Sequence, residues 1–252
     1  SIVLRKKQPR AAFFVFKLRT VHHYCYNMVE VYPVSDRAVQ IDCPGASAVQ
    51  LSAVSKALTL HLHKLGCPAF QLVQADQALT LVFANSPVGD FSVQSSTSNL
   101  SQIVASLLKS ASKSDRAVSH HTLVVNYGGT AGQDLPWLCE QTGLATQALI
   151  DLHSSATYTV EFLGFLPGFA YLSGLPEALQ LPRRSNPRAR VPAGTLAVGS
   201  GYCAVYPWES PGGWHLMGHV EQVLFDPEAA DSQGRCFFHA GDTVQFIQAD
   251  HA

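Results

Sequence analysis

Four arginines lie close together in one short, proline-rich stretch of the chain. They are Arg183, Arg184, Arg188 and Arg190, and the prolines that bracket them are Pro182, Pro187 and Pro192. The planar guanidinium group binds a carboxylate or a phosphate through two parallel hydrogen bonds, and proline restricts the backbone that carries it. The stretch therefore indicates a site for a substrate carboxylate, a phosphorylated intermediate or an acidic partner. Salt bridges on a solvated surface are the alternative.

Glycine, proline and aromatic residues are concentrated on both sides of the arginine stretch. Residues 164–172 read GFLPGFAYL, and residues 206–214 read YPWESPGGW. Glycine permits close approach of the backbone to a ligand, and aromatic side chains line many small-molecule pockets. Corners of a β-barrel, filled with core aromatic side chains, are the alternative. The candidate substrate-binding residues are Phe165, Phe169, Tyr171, Tyr206, Gly212, Gly213 and Trp214.

A histidine and a carboxylate lie just before these loops, at His153 and Glu161. Together with Tyr158 they are typical of proton transfer near neutral pH, so both are candidate catalytic residues. Alternatively, His153 occupies the C-terminal end of a helix, where a cation is favoured. His215 and His219 lack a third ligand at a clear spacing, so we predict no metal site. The sequence contains no P-loop, so any dependence on ATP would have to come from a partner or an unusual site.

The elements that must position these residues fall into two groups. Residues 28–127 predict the order β-β-α-β-β-α-β, which is typical of a helix-backed antiparallel sheet. Ser47 and Gln50 form a capping-box pattern before the first helix, and a second helix is predicted near 99–109. Two short helices follow near 134–142 and 147–154, with Asp134 and Thr146 as candidate caps.

Glycine and proline dominate the rest of the chain, between short predicted strands. Short strands separated by glycine and proline are typical of a β-barrel or a β-sandwich. The overall class is therefore α+β. The predicted strands are Tyr158–Phe162, Thr195–Gly199, Ala204–Tyr206, His219–Leu224 and Thr243–Ile247.

Composition excludes several classes of protein. The 252 residues carry 17 basic and 18 acidic side chains, so no global positive field favours nucleic acid. No run of 18 apolar residues predicts a membrane span. Six scattered cysteines without a CxxC motif predict reduced thiols and a cytoplasmic protein. Residues 1–27 hold six basic and no acidic residues, and we expect the fold to begin near Met28.

Three of these segments resemble the signature of one family. The pattern GF-x-PGF-x-YL, then PR-x(3)-PR-x-x-VPAG, then SPGGW matches residues 164–172, 182–194 and 210–214. It is similar to the allophanate hydrolase subunit 1 family, also described as the carboxyltransferase domain, subdomain C/D. The resemblance covers about residues 28–250. Arg183 and Arg188 match positions of the pattern, so we expect them to contact anions, and Arg184 and Arg190 to be solvated.

The resemblance implies an α+β domain followed by a cyclophilin-like β-barrel. We expect residues 1–27 to be an unmatched N-terminal extension, 28–118 the α+β domain and 119–252 the barrel domain. Members of the family include the B-type component of ATP-dependent 5-oxoprolinase, the kinase inhibitor called KipI and a part of urea carboxylase.

The resemblance to the 5-oxoprolinase component implies a role in opening the lactam of 5-oxoproline to glutamate. The implied cofactor is ATP, at the level of a complex. The implied partners are a second subunit of the allophanate hydrolase subunit 2 type and a LamB/YcsF-like subunit. Inhibition of a sensor histidine kinase and a part in a urea carboxylase or allophanate pathway are the alternatives.

Overall fold

An antiparallel sheet with two helices on one face forms the first part of the fold. The structure, a computed structural model, describes residues 29–85, 96–111, 118–229 and 235–249. The predicted extension 1–27 lies outside the described residues. The strands are β1 (Glu30–Ser35), β2 (Ala38–Asp42), β3 (Phe70–Ala75) and β4 (Ala78–Phe83), and the helices are α1 (Ala48–Lys64) and α2 (Ser96–Ser110). The spatial order of the sheet is β1-β2-β4-β3.

Helix α1 begins at the predicted capping box. The Ser47 hydroxyl accepts from the backbone N–H of Gln50, and the Gln50 side chain accepts from the backbone N–H of Ser47. These two bonds satisfy donors that the first turn leaves without partners. The apolar stripe of α1 then packs on the inward-facing side chains of β2 and β4. The residues buried between them include Leu51, Val54, Leu58, Ile41, Leu79 and Leu81.

A closed β-barrel of seven strands forms the second part of the fold. The barrel strands are β5 (His120–Tyr127), β6 (Thr157–Leu163), β7 (Ala170–Ser173), β9 (Thr195–Gly199), β10 (Tyr202–Val205), β12 (His215–His219) and β13 (Thr243–Gln248). Their order is β10-β7-β6-β13-β5-β12-β9, and β9 pairs with β10 to close the ring. β5 and β13 run parallel, and the other neighbours are antiparallel.

The remaining elements lie against this barrel. They are the helices α3 (Leu135–Thr142) and α4 (Thr146–Ser155), a short 3-10 helix (Glu177–Leu179), and a two-stranded ribbon of β8 (Arg188–Val191) and β11 (Ser210–Gly212). The α+β class, with a helix-backed antiparallel sheet and a β-barrel, is thus confirmed. The boundary between residues 118 and 119 stays a prediction. None of the described helices is both long enough and apolar enough to cross a membrane.

Several local predictions were wrong. The strand predicted at His219–Leu224 lies earlier, at His215–His219, and is interrupted by a bulge between Leu216 and Gly218. Helix α4 has Ala145, and not Thr146, at its N-cap. Asp134 occupies the N-cap of α3, but its carboxylate makes no capping hydrogen bond, because it binds groups elsewhere in the fold.

The two parts of the fold touch where β3 lies against β6. The side-chain amide of Gln74 donates to the carbonyl oxygens of Ala48 and Glu161, at 3.3 and 3.4 Å. Asp76, in the turn after β3, hydrogen-bonds the hydroxyl of Tyr202 on the barrel. These polar contacts join the first sheet to the side of the barrel that also carries the aromatic loops.

Candidate functional site

The predicted substrate-binding residues surround one cavity on the barrel, of about 180 Å³. All seven of them contribute to its lining, although the glycine, proline and aromatic segments are separated by more than 30 residues. The volume is below the roughly 300–1,000 Å³ of drug-sized ligand sites, so it suits a small molecule. The lining residues are Phe165, Phe169, Tyr171, Arg183, Pro187, Tyr206, Pro211, Gly212, Gly213 and Trp214.

Aromatic side chains form the walls of this cavity. The ring of Phe169 meets those of Tyr171, Tyr206 and Trp214 edge to face, at centroid distances of 5.1, 5.3 and 5.7 Å. Such edge-to-face pairs stabilise one another beyond their buried area. Phe169, Tyr206 and Trp214 are buried, so the walls are held rigidly.

The loop between β6 and β7 brings Phe165 to the rim of the cavity. Leu166 N–H donates to the carbonyl of Gly164 at 2.8 Å, and Phe165 between them has a φ of 67°. A three-residue turn of this kind is rare and strained for a residue with a side chain. Its ring is 60% exposed, and it contacts Phe169 edge to face. The strained turn therefore presents an apolar ring at the entrance.

The backbone of Gly212 lies close against the side chain of Tyr206. A Cβ atom added to Gly212 would collide with the Tyr206 hydroxyl, so only glycine fits there. Burial raises the pKa of Tyr206 to about 12, although Arg183, Arg188 and a hydrogen bond from the Trp214 backbone oppose the change. The phenol is therefore protonated at neutral pH, and it can donate a hydrogen bond to a ligand but cannot act as a base.

Arg183 brings positive charge to the mouth of the cavity. Its Cζ atom lies 5.7 Å from the centroid of the Trp214 ring, and its Nε donates to the Ser200 hydroxyl at 3.0 Å. No acceptor for its Nη atoms lies among the described residues. The two Nη amino groups can therefore bind a ligand carboxylate in two-point fashion.

Arg188, the other predicted anion-binding residue, is held by Asp134 instead. The Asp134 Oδ1 atom lies 2.6 Å from Arg188 Nη2 and 3.2 Å from Arg184 Nη1. Arg184, which we expected to be solvated, is thus part of a partly buried ion-pair cluster. Arg190 forms an exposed pair with Glu209, in agreement with its expected position on the surface.

His153 lies inside the barrel core, apart from the cavity. It is fully buried, with its Nδ1 2.7 Å from the Tyr127 hydroxyl and its Nε2 3.4 Å from Cys203 Sγ. Burial lowers its pKa to about 3, so the imidazole is neutral and is not a helix-end cation. A ring without access to the cavity has no route for a proton to a ligand bound there.

Glu161 also lies outside the cavity lining, on β6. Its Oε2 accepts a hydrogen bond from the Ser173 hydroxyl at 2.8 Å, and its backbone carbonyl accepts from Gln74. It is near Tyr202, whose pKa is raised to about 12 by burial and by the charges of Asp76 and Glu161. The structure therefore places Glu161 at the contact between the two parts of the fold.

Sequence reasoning assigned Asp134 the role of a helix cap and missed its role in the arginine cluster. Its position before a helix is the ordinary signal for a cap, and its arginine partners are 50 and 54 residues away along the chain. The described residues contain no group of three or more His, Cys, Asp or Glu side chains placed to hold a metal ion.

The family model of the carboxyltransferase domain, subdomain C and D, matches residues 29–234. The chain belongs to this family. The three signature segments of the carboxyltransferase domain are the ones that line the cavity and carry the arginines.

Curated members of the family are similar to part of the chain. The B-type component of 5-oxoprolinase from Haemophilus influenzae is 44% identical over 134 residues, which are 53% of this chain and 62% of that protein. Its counterpart from Escherichia coli O157:H7, of the same name, is 47% identical over 123 residues, 49% of this chain and 55% of that protein. The matches thus span little more than half the length of these relatives.

Solved structures share the fold of the carboxyltransferase domain. The crystal structure of TTHA0988 superposes with a TM-score of 0.64 at 28% identity, over 86% of this chain and 40% of that one. The urea amidolyase of K. lactis superposes with the same TM-score at 13% identity, over 88% of this chain and 15% of that one. At 13% identity, the similarity to the urea amidolyase shows a shared fold only.

Proposed function

We propose that the chain is a subunit of an ATP-dependent 5-oxoprolinase and that its aromatic cavity binds 5-oxoproline. The observation that carries this proposal is the guanidinium of Arg183 lying over Trp214 at the mouth of a 180 Å³ cavity. The identity of 44 to 47% to two proteins named as a 5-oxoprolinase subunit supports it. The protein would act in the cytoplasm.

The chemistry of 5-oxoproline fits the cavity. It is a small five-membered lactam ring with one carboxylate, so the flat ring can lie against aromatic walls. The carboxylate would pair with the free Nη groups of Arg183. The protonated hydroxyl of Tyr206 would donate to a ligand oxygen, and the walls would exclude water from the ring.

Opening the lactam needs activation, because an amide carbonyl is a poor electrophile. Transfer of a phosphoryl group from ATP to the lactam oxygen would supply it and leave ADP. Water would then attack the ring carbon and break the C–N bond to give γ-glutamyl phosphate, and a second water would release phosphate and leave glutamate. A cavity of about 180 Å³ is too small to hold a nucleotide in addition to 5-oxoproline. We therefore place ATP on a partner, either the subunit of the allophanate hydrolase subunit 2 type or the LamB/YcsF-like subunit, in a hetero-oligomer.

Isothermal titration of the chain with 5-oxoproline tests the binding step. We expect saturable binding that Arg183→Ala weakens about tenfold or more, as for loss of a charge-assisted bidentate contact. Arg190→Ala is the matched control, because its exposed pair with Glu209 lies on the neighbouring ribbon and away from the cavity lining. Absence of binding by the unaltered chain would contradict the proposed site.

Reconstitution tests the reaction itself. The chain is mixed with the two partner subunits, ATP and 5-oxoproline, and glutamate is measured. We expect glutamate only when all three proteins are present. Undiminished glutamate from the two partners alone would show that this chain is not required.

The exposed apolar side chains beside the cavity favour a second candidate function. Phe165 lines the cavity and is 60% exposed, and Trp208, whose indole N–H donates to the carbonyl of Pro167 in the same loop, is 40% exposed. Exposed apolar side chains of this kind suit a protein partner, as in the KipI-like inhibition of a sensor histidine kinase. Kinase autophosphorylation measured with and without the chain distinguishes this function, since a subunit of the hydrolase would leave it unchanged.

A further inference from the structure

Asp134 is bound to barrel strand β12 through hydrogen bonds that do not involve its arginine partners. Its backbone N–H donates to the carbonyl of Leu216 at 3.1 Å, and its Oδ2 accepts from the backbone N–H of Leu216 at 2.8 Å. The residue is buried, with 5% of its surface exposed. These two bonds to β12 leave Oδ1 in a defined position, directed away from the strand.

Oδ1 then binds the two arginines that follow cavity-lining residues. Arg184 comes directly after Arg183, and Arg188 comes directly after Pro187. Arg183 and Pro187 contribute to the cavity wall, whereas Arg184 and Arg188 bind Asp134. One carboxylate thus anchors both ends of the segment 183–188 without lining the cavity itself.

The charges in this cluster do not balance. Two guanidinium groups share one carboxylate, and Arg184 Nε and Arg188 Nη1 are buried without a hydrogen-bond partner among the described residues. Without the carboxylate, two like charges would face each other in a partly buried space, which is unfavourable. We expect this repulsion to displace the segment 183–188, which the backbone N–H of Arg184 also ties to the carbonyl of Gly213 at 2.8 Å.

We propose that Asp134 is a positioning residue that holds the segment 183–188 against the cavity, and so places Arg183 for a ligand carboxylate. This inference rests on the proposed function for the identity of the ligand, 5-oxoproline. Asp134 does not line the cavity, and it acts through Arg184 and Arg188.

The test begins with Asp134→Asn, which keeps the shape of the side chain and an oxygen for Leu216 N–H but removes the charge. We expect 5-oxoproline to bind about tenfold more weakly, with cooperative thermal unfolding retained. Arg188→Gln is the milder second variant, because Arg184 still neutralises Asp134. Glu209→Gln is the control, since it breaks the exposed ion pair of Arg190, on the same strand as Arg188, without touching the cluster.

A double variant separates positioning from general destabilisation. If the repelled guanidinium is what displaces the segment, Asp134→Asn combined with Arg188→Gln binds 5-oxoproline more tightly than Asp134→Asn alone. A merely structural loss at Asp134 would instead become larger when Arg188 is also replaced. Binding by Asp134→Asn equal to that of the unaltered chain would overturn the inference.

A readout without ligand keeps this result distinct from failure of the proposed function. In a Trp137→Phe, Trp208→Phe background the emission comes from Trp214, which is buried beside Arg183. We expect Asp134→Asn to shift that emission to longer wavelength as the segment moves and water reaches the indole. If the unaltered chain does not bind 5-oxoproline, the proposed function fails, and an unchanged emission would then overturn the positioning role as well.

Discussion

Arg183 and Trp214 form the contact that gives the cavity both charge and shape. The guanidinium lies over the indole, and Ser200 holds its Nε through a hydrogen bond. Stacking on an indole and one hydrogen bond restrict a side chain that would otherwise move freely. An exposed arginine is thereby oriented before any ligand arrives, which lowers the entropic cost of binding an anion.

Replacement of Ser200 tests this orientation. Ser200→Ala removes the acceptor of Arg183 Nε, and we expect 5-oxoproline to bind about twofold to tenfold more weakly, as for loss of one hydrogen bond. Ser200→Asn is the control, because asparagine keeps an acceptor and tolerates the positive φ of 53°. Titration calorimetry measures both variants, and equal binding by Ser200→Ala would show that Nε is not what orients Arg183.

The two adjacent glycines of the SPGGW segment should respond differently to alanine. Gly212→Ala forces a Cβ atom against the Tyr206 hydroxyl, and we expect it to destabilise the protein by about 1–3 kcal/mol, as overpacking does. At Gly213 the nearest atoms to an added Cβ atom are those of Pro187, at 3.6 Å, which is an ordinary contact. Urea unfolding of Gly212→Ala and Gly213→Ala measures the difference, and equal midpoints would contradict the close approach.

Stability should fall in mild acid because of His153. Its pKa is about 3 in the folded protein and near 6.5 when the chain unfolds, so the unfolded state takes up the proton first. The contribution of neutral His153 to the free energy of unfolding is therefore complete above pH 6.5. It is lost as the pH falls from 6.5 towards 3, by about 1.4 kcal/mol per pH unit.

Urea unfolding between pH 7 and pH 4 checks this dependence. In the double variant His153→Leu, Tyr127→Phe both members of the Tyr127–His153 hydrogen bond become apolar, and only the Cys203 thiol, a weak donor, loses its contact. We expect its stability to change less with pH over this window. A pH dependence as steep as that of the unaltered protein would assign the loss to other groups.

The cavity could be predicted from the sequence because its lining residues are of types with distinctive structural roles. Gly212, the prolines and rings such as Phe169 restrict the backbone or require burial, and such residues indicate a shaped loop wherever they cluster. The anion-binding role of arginine follows in the same way from its chemistry. The structure brings Arg183 to these rings as that reasoning expects.

The remaining features depend on distant partners that no local pattern encodes. Asp134 has the sequence context of a helix cap, yet its carboxylate binds Arg184 and Arg188 after the chain has turned around the barrel. His153 has the type of a catalytic residue, and only the packing around it shows that it is buried and neutral. Short strands such as Ser210–Gly212 were missed because proline and glycine interrupt the alternation of side chains.

The contribution of the capping box of α1 to stability can be tested separately, in the first part of the fold. Ser47→Ala removes the acceptor of Gln50 N–H, and we expect a loss of about 1 kcal/mol in the free energy of unfolding. Ser55→Ala, in the middle of the same helix, serves as the control. Circular dichroism during thermal unfolding measures both, and equal midpoints would indicate that the cap does not stabilise α1.

Strand β13 has a consequence for how the protein is made. It pairs with β5 on one side and β6 on the other, and His120 meets Thr243 across 123 positions of the chain. During translation the ring therefore stays open, with both of those edges bare, until residue 248 has left the ribosome. The first sheet, whose contacts are local, can form well before then. Between the synthesis of residue 110 and that of residue 248, a nascent chain would carry a finished small unit followed by unpaired strands, and at this stage it needs protection from aggregation.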